Sequence, residues 1–296
     1  MNQIDRRTFI ESSLAATIIS SLPSALGRPA HQVGRIGVQL YTVRELMKSD
    51  PAGTLAKVAA AGYKEVEFAG YFNLSPKDVR AAIDKAGLAA PSNHIDYKTV
   101  TNSFPQALDA AHIIGHKFLV NSWIDDDVRN HPDGWKHIAE ALNRAGEAAT
   151  KAGIQLAYHN YWFEFKPLAD GTLPYDLLLA ACDPHLVAIE MDLCWISVGG
   201  ADPLKYFDRY PGRFPLVHVK DVKKLPKPSL AEGAALSSDQ ILPDMTEVGS
   251  GVIDWKRIFA QSSKAGIQHY FVEHDQPADP IASIQQSFRY LSALRF

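Results

Sequence analysis

From Arg35 onward, short runs of β-branched and aromatic residues alternate with longer stretches whose apolar positions recur at helical spacing. The runs predict strands at Ile36 to Tyr41, Glu65 to Phe68, Leu88 to Asn93, Lys117 to Asn121, Gln155 to His159, Val187 to Asp192, Pro215 to Val219 and His269 to Glu273. Helices are expected between them, at Pro51 to Ala61, Pro76 to Ala86, Asn102 to Ile114, Pro132 to Ala152, Pro174 to Ala181, Pro203 to Arg209, Trp255 to Ala265 and Pro280 to Leu294. Proline suits a first helical turn, because the N–H it lacks has no partner there. Ala61-Gly62, Ala86-Gly87, Ala152-Gly153 and Ala265-Gly266 read as glycine helix stops before the next strand. Eight strand–helix units of one topology predict an α/β protein, a single (β/α)8 TIM barrel spanning residues 31–296. No Gly-x-Gly-x-x-Gly follows the first strand, so an open dinucleotide-binding sheet lacks its main support.

One connection breaks the rhythm. Residues 221–250, after the seventh strand, form a long segment with Pro, Ser and Gly where a barrel needs only a few residues. On the carboxyl side of a strand, where barrel active sites are built, it reads as a lid over the pocket.

Residues 1–30 differ in character from the rest of the chain. Asp5-Arg6-Arg7-Thr8-Phe9-Ile10 precedes a small and apolar run from Ser12 to Leu26, the pattern of a twin-arginine export signal. That run is too short for a comfortable span, which takes about 20 residues. The expected address is periplasmic or exported, with no stable membrane span. Because phosphorylated sugars are largely cytoplasmic, an exported sugar enzyme would meet unphosphorylated ones.

With 296 residues and 46% hydrophobic content, the chain can bury one large core. A net charge of −3, without long Lys or Arg runs, gives no surface for a polyphosphate backbone, so nucleic acid is not expected as a partner. The two cysteines, Cys182 and Cys194, lack thiolate-metal spacing and are expected as buried or free thiols.

Catalytic groups in such a barrel stand at the carboxyl ends of strands. There the sequence places Glu67, His94, His159, Asp192, His218 and Glu273. The last four end strands five to eight in order and should converge from one side of the mouth. Imidazoles and carboxylates without thiolate suit one divalent ion, Mn²⁺, Co²⁺, Fe²⁺, Zn²⁺ or Mg²⁺. Trp123, Trp162 and Trp195 follow strands four to six, and Tyr41 ends strand one, where sugar C–H faces could stack on them.

Five blocks, in order, resemble the xylose-isomerase-like sugar isomerases and epimerases: Tyr158 to Phe165, Glu190 to Trp195, Val217 to Asp221, Val248 to Trp255 and Phe271 to Asp275. The resemblance runs from about Ile36 to the end. It implies a metal held from strands five to eight, at positions matching His159, Asp192, His218 and Glu273. One departure matters: the family's ketose 3-epimerases place a carboxylate on strand five, paired with that of strand eight as opposed bases, and here His159 stands there. Symmetrical two-base epimerisation therefore loses a partner.

The implied chemistry is proton abstraction beside a carbonyl of an unphosphorylated sugar or keto-glycoside, followed by isomerisation, epimerisation or elimination. Glu273, Glu67, His94 and Glu164 are the candidate bases, and Lys220 could neutralise a developing oxyanion. The alternatives are a non-catalytic periplasmic sugar-binding or accessory subunit and an abasic-site endonuclease. The latter asks for clustered metals and a basic face that the composition does not offer.

Overall fold

A computed structural model describes residues 31–131, 133–227 and 236–296; the twin-arginine segment, residues 1–30, lies outside them. The described chain closes eight parallel strands into one barrel: β1 (Ile36–Gln39), β2 (Glu65–Phe68), β3 (Ala89–Asp96), β4 (Phe118–Trp123), β5 (Gln155–His159), β6 (Val187–Asp192), β7 (Leu216–Val219) and β8 (His269–Val272). Each pairs with its sequence neighbours, and β1 closes the ring on β8 through Ile36↔Tyr270 and Val38↔Val272.

Period-two alternation sorts the strand residues into two sets. Val38, Val66, Leu119, Leu156, Ile189, Val217 and Val272 belong to the large core shared with the helices. Val120, Ala157, Ala188, Leu216 and Phe271 form a separate cluster, the barrel's own filling. Phe271 explains Gly37, since a Cβ there would stand 2.5 Å from its ring. The alternate positions one step further along carry Glu67, His159, Glu190 and His218, all buried, so the inner face turns from apolar to ionisable toward the mouth.

Helix starts obey local chemistry. Asp50, Ser75, Asp202 and Asp279 each precede proline and accept a backbone N–H of the first turn. Gly62, Gly87, Gly153 and Gly266 all have positive φ, as glycine stops require.

Some boundaries move. The helix expected at Asn102 to Ile114 is two, Tyr97–Asn102 and Phe104–Ile114, because Ser103 (φ −141°) leaves the helical region before Pro105. The helix expected at Trp255 to Ala265 breaks into Trp255–Phe259 and Ser262–Ala265. Strands β3 and β4 run past their expected ends to Asp96 and Trp123, and Pro132 falls outside the described residues.

Of the long segment after β7, Asp221–Val222 pairs antiparallel with Met245–Thr246. The Asp221 carboxylate holds the far end of that segment, accepting from Gly249 N (3.0 Å), Ile253 N (3.3 Å) and Trp255 Nε1 (3.0 Å). Both cysteines are buried and free.

Candidate metal and sugar site

Asp192 ends β6 and also caps the helix Leu193–Val198. Its Oδ1 accepts from Cys194 N (2.9 Å) and Trp195 N (2.7 Å), which fixes the carboxylate plane. The other oxygen, Oδ2, stands 3.5 Å from His159 Nε2, 3.8 Å from His218 Nδ1 and 3.1 Å from Lys220 Nζ. Asn160 ties the ends of β5 and β6 together by accepting from Asp192 N (3.1 Å). His159, Asp192 and His218 thus offer donor atoms within 4.8 Å of one another, on buried side chains. Glu273, one residue past β8, reaches His218 Nδ1 (2.7 Å) and Lys220 Nζ (2.8 Å).

A second constellation sits behind this one and shares His218. Its Nε2 lies 2.7 Å from Glu67 Oε1 and 3.3 Å from Glu190 Oε2. His94 Nε2 lies 3.0 Å and 2.8 Å from the same two carboxylates, its ring stacked on that of His218 at 5.1 Å. Gln39 Nε2 donates to Glu67 Oε1 (2.8 Å) and Ser92 Oγ to Oε2. Glu67, His94, Glu190 and His218 also offer mutually close donor atoms. Glu67 does not line the open cavity, so it is placed to orient His218 rather than to meet a substrate.

Charge decides what this interior can hold. The Lys220 ammonium touches Asp192, Glu273 and Asp275, while Glu67 and Glu190 face the imidazoles of His94 and His218. Burial opposes the Lys220 charge, but Asp192, Asp275 and Glu273 outweigh it and hold its pKa well above the usual range. Burial likewise pushes Glu273 up, yet Lys220 and His218 prevail and keep it far below the normal carboxylate range. His94 is raised to about 9, where Glu67 and Glu190 overcome the desolvation of its ring. Glu190 rises to about 7 through burial and the neighbouring Glu67 charge. His159 moves the other way, to about 3, through burial and the nearby His218, and is therefore a neutral imidazole. His159 Nδ1 and Glu190 Oε1 are buried without hydrogen-bond partners among the described residues, and Asp192 Oδ2 has the Lys220 ammonium as its charged neighbour. Clustered buried carboxylates, a neutral imidazole and unpartnered buried polar atoms fit a divalent cation.

The cavity over the mouth has a volume of about 810 Å³. His94, His159, Glu273 and Asp275 face it, and Trp123, Trp162, Trp195 and Tyr41 line it, with Ser238 and Leu242 of the long segment at its edge. Trp195 is buried, 4.8 Å from the Trp162 ring and with Lys220 Nζ 5.1 Å from its own. No Lys or Arg side chain lines this cavity among the described residues.

Glu164 does not line the cavity. It is buried, accepting from Tyr158 Oη (2.6 Å) and Tyr161 N (3.0 Å), and burial raises it to about 7. Two site residues escaped sequence reasoning. Glu190 was legible, since a carboxylate two positions before Asp192 must share its inward face. Asp275 was not, because no alternation rule extends beyond the end of β8. Burial lifts its carboxyl to about 6, with Lys220 opposing and Glu273 adding to the rise.

A family model described as xylose isomerase-like TIM barrel matches residues 55–294. An inosose dehydratase of Lacticaseibacillus casei is 26% identical over 266 residues, covering 80% of this chain and 87% of that protein. The crystal structure of a sugar phosphate isomerase/epimerase from Parabacteroides distasonis ATCC 8503 superposes with a TM-score of 0.72 at 25% identity, covering 92% of this chain and 99% of that one. The IolI protein, crystallised with a bound zinc atom, shares the fold at 14% identity, with a TM-score of 0.65 over 86% of this chain and 96% of its own.

Proposed function

Because this chain belongs to the xylose isomerase-like TIM barrel family, we propose that it is a metal-dependent, lyase-like enzyme. It would remove a proton beside a carbonyl of an unphosphorylated sugar, cyclitol or keto-glycoside and expel a β-substituent. The observation that carries this reading is the convergence of His159, Asp192 and His218, with Glu273 beside them, of which His159 and Glu273 line the cavity. The dehydratase names of its relatives and the zinc atom of IolI favour the same chemistry. Among the described residues no Lys or Arg lines the cavity, which favours an uncharged substrate despite the sugar phosphate name of one structural relative.

His159, Asp192, His218 and Glu273 would hold the cation, Zn²⁺, Mn²⁺, Co²⁺, Fe²⁺ or Mg²⁺. When bound, such an ion supplies Lewis-acid polarisation of the substrate carbonyl. Glu67 accepts the His218 Nε2 proton and so keeps Nδ1 aimed at the cation site. Glu273 is held by His218 and Lys220 and would serve the cation, whereas Asp275, on the cavity wall and paired among the described residues with Lys220 alone, would accept the substrate proton. The Lys220 ammonium offsets negative charge developing beside it. His94, which Glu67 and Glu190 raise to about 9 and which faces the cavity, can give a proton to a departing hydroxyl or alkoxide. Closure of residues 236–250 over the mouth would keep water out, and the Arg-Arg pattern of the first residues supports export to a compartment of unphosphorylated sugars.

The test is deuterium exchange. Metal-loaded protein in D₂O should place deuterium beside the carbonyl of at least one member of a panel of inososes, keto-sugars and 3-keto-glycosides. Asp275→Asn should lower that exchange at least roughly 100-fold, as loss of a general base does, while retaining metal. Absence of exchange across the panel overturns the proposed reaction; full exchange in the variant overturns the base.

A further inference from the structure

The cavity extends well beyond the donor groups. At about 810 Å³ it lies in the upper part of the roughly 300–1,000 Å³ span of sites that engulf drug-sized ligands, and a lone hexose over the donor set would fill only part of it. The remainder opens between Trp123, Tyr41 and the helix Phe104–Ile114, which presents Gln106, Ala107 and Ala110 to the space.

Trp123 is unusual among the lining groups, since 43% of its surface is exposed although its ring is fixed. Its indole Nε1 donates to Asp125 Oδ1 (3.1 Å), and the ring stands at 89° to Tyr161, 5.5 Å away. Tyr41, 41% exposed, also borders the cavity, steadied by the Arg44 guanidinium 4.0 Å from its ring centroid. An exposed aromatic face already held in place loses little freedom when a flat ligand covers it. On the helix side the space is bordered by the short side chains of Ala107 and Ala110.

We propose that this outer space is a second subsite that receives a flat ring attached to the reacting sugar, so that the natural substrate is a glycoside rather than a free monosaccharide. The inference rests on the sugar-directed reading above. The shared chemistry is a ring with an apolar face, supplied either by an aryl aglycone or by a second pyranose. Among the described residues no Lys or Arg lines this outer space, which disfavours a phosphorylated attachment there.

Binding of matched ligands to the full chain tests it, by calorimetry with methyl and phenyl α-glucosides, β-glucosides and β-galactosides, and with cellobiose and lactose. In at least one series, the phenyl glycoside or the disaccharide should bind roughly three- to tenfold more tightly than its methyl partner, the gain expected of one aromatic contact. Gain with phenyl alone assigns an aryl aglycone; gain with the disaccharide assigns a second sugar. In Trp123→Ala the difference within the series should vanish, and in Trp123→Phe it should partly return. Equal binding of all partners, no binding by any ligand, or an undiminished gain in Trp123→Ala overturns the subsite. Wild-type protein that shows the gain yet exchanges no proton in D₂O retains the subsite and loses the proposed reaction.

Discussion

Asp192 performs two jobs with two oxygens, and its substitution separates them. Oδ1 caps the helix Leu193–Val198 through two backbone N–H groups, while Oδ2 faces His159, His218 and Lys220. Asparagine keeps a carbonyl oxygen at the cap and removes the anionic donor; alanine removes both. Loss of a good cap costs about 0.5–2 kcal/mol. At roughly 2–4 °C per kcal/mol for a domain of 150–250 residues, Asp192→Ala measured in EDTA should melt a few degrees below Asp192→Asn. Metal binding should not distinguish them. Removing a mere outer partner of a ligand costs about 10–100-fold in affinity, so losing the donor itself should weaken binding by at least roughly 100-fold in both variants. Titration calorimetry and elemental analysis of dialysed protein read the affinity, and differential scanning calorimetry reads the cap. Metal occupancy in Asp192→Asn equal to wild type would remove Asp192 from the ligand set. Identical melting of both variants in EDTA would refute the division of labour between the oxygens.

Glu164, buried and raised to about 7 from an ordinary 4.5, contributes stability that is complete below about pH 4.5 and disappears as pH climbs through 7. The shift corresponds to at most about 3 kcal/mol, so in metal-free urea unfolding the fall in stability between pH 4.5 and 8 should be visibly shallower in Glu164→Gln; parallel profiles would contradict the assignment. Gly37→Ala places a Cβ 2.5 Å from the Phe271 ring inside the barrel and should destabilise by about 1–3 kcal/mol, which a denaturant midpoint equal to wild type would disprove.

The rhythm of the chain carried the architecture. Alternating runs, Asp-Pro and Ser-Pro helix starts and Ala-Gly stops are local signals, and local sterics and hydrogen bonding decide them whatever the distant chain does. Period-two alternation likewise placed His159, Asp192 and His218 on one inward face, because neighbouring parallel strands are in register there, as in Asp192↔His218. Glu190 obeyed the same rule and could have been named from it. The roles of the groups were decided elsewhere. Glu67 meets His218 across 151 positions of sequence, a contact made only when the barrel closes, and that closure sets a candidate base against the His218 imidazole. Glu164 is a candidate base by sequence, but the 3₁₀ turn Phe163–Phe165 directs it to Tyr158 instead. Asp275 acquires its place only from the loop beyond β8 and from Lys220 beside it. A strand's periodicity orients a side chain toward an axis; which charges it meets there, and therefore which proton it holds, depends on strands brought together from the whole length of the chain.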